Sequence, residues 1–297
     1  MKVTIIGAGM VGYATGIGLS RLGNKVTFFD TDPKVVSKLR HNGHKTAPTL
    51  AEGILESSIV MLCLPTPLSG GTLDMSCMEA TAEELGPIVD TKIVVSRSTV
   101  VPGSTRKLSR YLPPEGLVYN PEFLRHKFAL EDFLKPHRII IGSRFSRARK
   151  KVKELYKNIK APIICTDWET AEAAKLLSNG FLATKISFFN ELWFLCEKLG
   201  VHTRQVERVL ALDKRIGSYG IKGGTAFDGP CLPKDSRALV TLGKDLGLRM
   251  GILDAVLRLN REIESTERGT HHFEDHNAHS GKNPSTSMTP IPQAHLS

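Results

Sequence analysis

Scarce cysteine, a deficit of acidic residues and the absence of any long apolar run set the first limits on this chain. Its 297 residues include five cysteines, Cys63, Cys77, Cys165, Cys196 and Cys231, which are scattered, odd in number and free of any CxxC pair or Cys/His cluster. That argues against a disulfide framework and a structural zinc site, so no metal is expected. No stretch approaches the ~18–20 uninterrupted apolar residues that span a bilayer. The opening residues, Met1 to Ile6, meet glycine too soon to form a signal-peptide core. A cytoplasmic protein with no membrane partner is the expectation. Aspartate and glutamate number 30 against 40 lysines and arginines, a net charge of +10. Such an excess suits an anionic partner: a dinucleotide, a nucleotide sugar or a nucleic acid. A hydrophobic share of 41%, a charged share of 24% and a mean hydropathy of −0.12 exclude the disordered and membrane classes. The length gives room for about two domains at ~100–200 residues each.

Short β-branched runs recur through the first half: Val3 to Ile6, Val26 to Phe29, Ile59 to Leu64, Ile93 to Val95, Leu117 to Tyr119, Ile139 to Ile141 and Pro162 to Cys165. Most are too continuous for half-exposed strands, and the stretches between them are long enough for helices. This predicts a doubly wound α/β domain, a Rossmann-type parallel sheet covered on both faces, over residues 1–166. From Asp167 the texture changes. Thr166 or Asp167 can cap a helix, Glu169 and Glu172 suit its first turn, and apolar positions continue to Leu199 before Gly200 stops it. One helix of about 30 residues is predicted, longer than most in globular proteins. A second helix is predicted over Thr203 to Leu212, then a glycine-rich loop from Gly217 to Pro233 and a final helix from Lys234 or Asp235. Residues 167–268 are read as a helical dimerisation domain. The segment 269–297 holds His271, His272, His276, His279 and His295 without periodicity and is read as a disordered tail.

The strongest local signal is Gly7-Ala8-Gly9-Met10-Val11-Gly12, which follows the strand from Val3 and opens an apolar helix. Gly7 permits a tight turn, Gly9 lets backbone approach a pyrophosphate, and Gly12 allows close helix–strand packing. The N–H groups of Met10 and Val11 belong to the helix start that would face phosphate. Asp30 ends the second strand 18 residues beyond Gly12. A carboxylate there binds ribose hydroxyls and repels a 2′-phosphate, so NAD is favoured over NADP. Thr66, in Pro65-Thr66-Pro67, and Thr99, after Ser98, fall at carboxyl ends of predicted strands, where open α/β sheets place ligands. Lys175 and Asn179 lie four apart on one face of the long helix and read equally well as a surface stripe. Cys231 stands in a loop just before a helix and near lysine. It reads either as a nucleophile with a stabilised thiolate or as a small buried hydrophobe. The basic run from Arg144 to Lys160 has helical spacing and one aromatic, Tyr156, which fits a solvated helix face. No nucleic-acid partner is expected.

Together these stretches resemble the UDP-glucose/GDP-mannose dehydrogenase family: GAGMVG, LPTP, STVVPG, NPEFLR, AAKLLSNGFLATKISFFNEL, LDKRIG and PCLPKDSRAL occur in family order from residue 1 to about 265. The resemblance implies an NAD-dependent four-electron oxidation of a nucleotide sugar's C6 alcohol to a uronic acid. Cys231 would add to the intermediate aldehyde, and a second hydride transfer would leave a thioester for water to hydrolyse. Lys175 would stabilise the oxyanion, with Asn179 orienting it or a water. Asp235 and Thr99 would hold that water or shuttle its proton. Glu122 would serve as the base in thioester hydrolysis, and the backbone at Phe123 and Leu124 would position the sugar. Arg215 matches a residue that reaches a substrate across a dimer interface, and the long central helix implies a homodimer.

The chain also departs from the family pattern. His126 and Lys127 follow NPEFLR where the family has glutamate and a small residue, and Asp228 and Pro230 replace a glycine and a serine before Cys231. Asp228 is expected to lie near Cys231 and disfavour its thiolate, and Pro230 removes an N–H just ahead of it. Where the family carries a third, nucleotide-binding domain, this sequence has the histidine-rich segment. Two alternatives stay open: a non-catalytic NAD-binding remnant or dimerisation partner of a longer paralogue, and a two-electron β-hydroxyacid-type dehydrogenase using Lys175 and Asn179 alone.

Overall fold

The computed structural model describes the backbone of residues 1–277 and the side chains of residues 1–266. Seven strands build one sheet: β1 (Lys2–Ile6), β2 (Lys25–Phe29), β3 (Ile59–Leu62), then β6 (Ile93–Ser96), β7 (Leu117–Tyr119), β8 (Ile139–Gly142) and β9 (Ile163–Thr166). Between β3 and β6 stands a two-stranded hairpin of β4 (Leu68–Ser69) and β5 (Thr72–Leu73). The sheet order is β2-β1-β3-β6-β7-β8-β9. All four residues of β3 and of β6 are buried. Val3, Ile59 and Met61 feed one apolar layer, and Ile6, Val60 and Leu62 feed the other. A sheet covered on both faces requires this continuous hydrophobicity.

The helices of this half are α1 (Met10–Arg21), α2 (Pro33–His41), α3 (Leu50–Ile54), α4 (Ser76–Val89), α5 (Ser104–Leu108), α6 (Ala129–Leu134) and α7 (Ser146–Leu155). In α7, which carries the basic run, Ala148, Val152 and Leu155 face the core, as the helical spacing predicts.

The sheet is not wholly parallel. β7 and β8 pair antiparallel, Tyr119 opposite Gly142, and β9 then runs parallel to β8. The connection 120–138 holds only a single 3-10 turn, His126–Phe128, and the short α6, so the chain re-enters the sheet at the end where β7 stops. A parallel return would need a full crossover. The apolar runs reveal burial on both faces, which is the same for either direction.

The second half is built on α8 (Trp168–Leu199). Asp167 caps it by accepting the Thr170 N–H at 2.8 Å, and Gly200 closes it at φ 66°. Then come α9 (Thr203–Ala211), α10 (Leu232–Asp245) and α11 (Gly251–Asn277). Two helices therefore follow the glycine-rich loop rather than one, parted by Gly247 in the left-handed region. The helix α11 also runs past Arg268, where organisation was expected to end. The remainder of the histidine-rich tail, 278–297, lies outside the described residues. Leu73 of β5 joins Leu176 of α8, Leu239 of α10 and Leu253 of α11 in one cluster, which ties the sheet domain to the helices. Among the described residues no helix is long and apolar enough to cross a membrane.

Candidate active site

The dinucleotide features are in place at the carboxyl ends of β1 and β2. Gly7 has φ 83°, and a Cβ there would stand 2.5 Å from the Cys63 carbonyl oxygen. A Cβ on Gly12 would lie 1.8 Å from the Gly7 oxygen, so neither position tolerates another residue. Above Gly9 the space is open, and Gly9 starts α1 with no side-chain cap. The first-turn N–H groups, those of Met10 and Val11 among them, lack intrahelical acceptors, the arrangement that receives a pyrophosphate. Asp30 does not cap α2; Asp32 does, through the Lys34 N–H. Asp30 instead accepts the Ala8 N–H at 2.6 Å and the Asp32 N–H at 2.9 Å, which places its carboxylate beside the glycine turn. Thr66 donates its hydroxyl to the Thr99 carbonyl at 2.7 Å, and Ser98 both donates to and accepts from the Leu64 backbone. The chain segments after β3 and β6 are thus stitched side by side.

The second group gathers where α8 passes the sheet. Lys175 and Glu122 form a buried ion pair at 2.9 Å, and the other Glu122 oxygen accepts the Leu124 N–H at 2.6 Å. Burial opposes the Glu122 carboxylate, yet Lys175 and the Leu124 N–H outweigh it and hold its pKa below the ordinary value. The Leu124 N–H, in the backbone stretch that the resemblance assigns to positioning the sugar, is bonded to Glu122. One turn along α8, Asn179 donates to Asp235 Oδ2 at 2.6 Å, and Lys234 Nζ lies 2.8 Å from Asp235 Oδ1. Asp235 and Lys234 open α10, and Cys231 is its N-cap. Lys175 and Asn179 are therefore not a surface stripe: both are buried, each against a carboxylate.

Cys231 sits in the field of this cluster. Its thiol is pushed above its ordinary value first by burial and then by the Glu122 carboxylate, while Lys175 pulls the other way. Burial and the Glu122 carboxylate thus work against the stabilised thiolate that the neighbouring lysines suggest. Nor is Asp228 responsible: it is exposed, and the acidic neighbours that act on the thiol are Glu122 and Asp235. Arg215 does not join the cluster. Its side chain is 90% exposed and pairs with Asp213 at 2.6 Å.

Several contributors escaped the sequence reading. Asn190, buried in α8, accepts the Gly224 N–H at 2.9 Å and donates to the Thr225 carbonyl at 2.9 Å. Asn260 of α11 brackets Phe227 in the same manner, accepting its N–H at 2.7 Å and donating to its carbonyl at 3.0 Å. These two amides hold the loop that delivers Cys231. Arg138 lies 3.8 Å from the centroid of the Phe123 ring and donates to Ser178, bracing the segment that carries Glu122 against α8. An asparagine within an apolar helix gives no local signal of its distant partner.

Comparison with known proteins finds two domains of one family along the chain. The NAD binding domain of the UDP-glucose/GDP-mannose dehydrogenase family matches residues 1–54 and 42–160, and the family's central domain matches 169–262. The chain is 34% identical to a UDP-glucose 6-dehydrogenase of Rickettsia bellii, over 89% of this chain and 68% of that protein. It is 32% identical to UDP-glucose 6-dehydrogenase TuaD of Bacillus subtilis, over 88% of this chain and 63% of that one. Among solved structures, a UDP-glucose dehydrogenase from Pyrobaculum islandicum superposes with a TM-score of 0.83 at 35% identity, covering 88% of this chain and 68% of its own. The chain thus spans about two thirds of the length of the relatives it matches. With the family's NAD binding domain matched over residues 1–54 and 42–160 and its central domain over 169–262, the chain belongs to the UDP-glucose/GDP-mannose dehydrogenase family.

Proposed function

We propose that this chain oxidises the C6 alcohol of a nucleotide sugar of the UDP-glucose type to the uronic acid through a covalent bond to Cys231. The observation that carries the reading is the convergence of Glu122, Lys175, Asn179 and Asp235, from three separate segments, around a cysteine at a helix N-cap. NAD, when bound, would supply the hydride acceptor, one molecule for each of the two oxidations, with exchange of NADH for NAD between them. Gly7, Gly9, Met10, Val11, Gly12 and Asp30 would hold it, with Thr66 and Thr99 at the sheet edge beside them.

Everything else falls to the protein. Sulfur bonds to the aldehyde carbon while the carbonyl oxygen takes up the proton that the thiol gives up. A cysteine stored as a thiol suits this exchange, since no free charge has to be buried beforehand. Lys175 stabilises the oxygen as negative charge develops on it. Once the thiohemiacetal has lost its hydride, and its hydroxyl proton has passed to the water held by Asn179 and Asp235, a thioester remains. Water then forms the new C–O bond and the C–S bond breaks. Glu122 takes the water's proton, and Asn179 with Asp235 fixes the water's position.

The surface of α8 suits assembly. Leu177, Phe181, Phe188, Leu195 and Leu199 are each more than half exposed and recur along α8 at steps of four and seven, a continuous apolar stripe. Two copies pairing through α8 would cover it, and the exposed Arg215 would reach toward the partner's substrate. Five free cysteines fit a cytoplasmic setting.

The test is stoichiometric. With UDP-glucose, GDP-mannose or a UDP-N-acetylhexosamine, two NADH should form per uronic acid, and Cys231→Ala should abolish acid formation. One NADH with release of an aldehyde, surviving the loss of Cys231, would support the two-electron alternative. NAD binding with no turnover on any of these sugars would support the remnant.

A further inference from the structure

Glu172 is fully buried and contacts none of the groups assigned a chemical role above. Its oxygens accept two backbone N–H groups at 2.6 Å each, Gly103 to one and Thr105 to the other. Among the described residues no lysine or arginine lies within ion-pair distance of it. A buried carboxylate without a cation is costly to keep, and short charge-assisted bonds to backbone are the interactions that retain it. Gly103, at φ 94°, begins α5 and ends the segment that leaves β6 through Ser98, Thr99 and Val100. At its other end that segment is pinned by Ser98 to Leu64 and by the Thr99 carbonyl to Thr66.

The position on α8 gives this its meaning. Glu172, Lys175 and Asn179 are spaced by three and four residues and share one helix face. That face is therefore clipped in turn to the 103–105 segment, to Glu122 and to Asp235. A second tie between α5 and α8, Arg106 to Glu169, is solvent-exposed, with Arg106 58% accessible, and is worth little alone.

We infer that Glu172 is a positioning residue that locks the segment presenting Thr99 to the helix presenting Lys175 and Asn179, holding the NAD edge and the cysteine cluster in fixed relation. The inference rests on the reading of Thr66 and Thr99 as cofactor neighbours, and its test does not require turnover. Glu172→Gln keeps the shape but turns an amide nitrogen toward one N–H donor. In that variant the amides of 103–105 should exchange with deuterium about tenfold faster than in the unaltered protein, the scale of one lost hydrogen bond to a charged group. Calorimetry should show NAD binding weakened by a similar factor, whereas a helix cap with a purely structural role would lower the melting temperature and leave NAD affinity alone. Glu172→Asp, which keeps both acceptor oxygens on a shorter arm, should restore part of both. Unchanged exchange in Glu172→Gln overturns the inference, and so does faster exchange with unaltered NAD affinity. If the unaltered chain binds NAD but turns over no sugar, the proposed function fails while Glu172 is still judged by these two measurements.

Discussion

Burial sorts the cysteines more than their sequence neighbours do. Cys63, beneath the glycine turn, is pushed up to about 12 by burial, with Arg97 only partly offsetting it. Cys165 is exposed on the edge strand β9. A thiol reagent at pH 8 should modify Cys165 first and leave Cys63 untouched until the protein unfolds. Cys231 should gain reactivity only as the pH rises past its ordinary value of 9.0. Peptide mapping of the labelled protein checks the order, and rapid modification of Cys231 at pH 7 would contradict it. The Glu122–Lys175 pair carries a stability prediction. Lys175→Met strands a buried carboxylate and should cost about 3–5 kcal/mol in chemical unfolding. Because the Glu122 pKa is depressed in the folded state, its carboxylate adds stability above the unfolded value of 4.5. That contribution is lost as the pH falls from 4.5 through the folded value. Glu122→Gln should therefore show a flatter stability profile in that acid window than the unaltered protein. The family's motifs made Cys231, Lys175, Asn179, Asp235 and Glu122 legible in the sequence as candidates. Their pairing was not, because Lys175 meets Glu122 across 53 positions and Asn179 meets Asp235 across 56.

At the level of elements, the glycine-rich loop after α9 is the piece whose order matters most to the cysteine. Gly217, Gly220, Gly224 and Gly229 all take positive φ, so the loop has little intrinsic preference for one path. Asn190 and Asn260 supply that path by bonding the backbone at Gly224, Thr225 and Phe227. Asn260→Leu leaves the Phe227 N–H and carbonyl unpaired in a buried site and should cost about 1–3 kcal/mol for each group left bare. Faster amide exchange over 224–231, with the sheet unaffected, is the expected signature. The strands and the long helix were readable because burial on two faces and capped helical periodicity leave strong local marks. The direction of β8 and β9 leaves none, since Ile139 to Ile141 are buried whichever way they run. The β4–β5 hairpin did leave a mark, Gly70-Gly71 between Leu68-Ser69 and Thr72-Leu73, with both glycines at positive φ. Strands of only two residues are too short to show an alternating pattern.

On the scale of the whole molecule, α8 is the shared spine. Its N-terminal turns lie against the sheet, with Trp168 and Ala171 in the same layer as Ile6 and Val60, and its middle packs on α10. Beyond that the stripe from Leu177 to Leu199 is uncovered among the described residues, and it is the face through which the proposed homodimer would pair. Replacing Phe181 and Leu195 together by aspartate should give monomers in sedimentation, with the single-chain fold retained by circular dichroism. A substituted protein that sediments as the unaltered one does would remove α8 from the assembly.

The central claim is that the sugar becomes bonded to Cys231. The most direct measurement is the intact mass of Glu122→Gln, in which loss of the proposed base should slow hydrolysis, quenched in acid during turnover with NAD and UDP-glucose. The account predicts added mass equal to one UDP-linked uronyl group, located on the peptide containing Cys231. Formation of NADH with Cys231 unmodified throughout would contradict it.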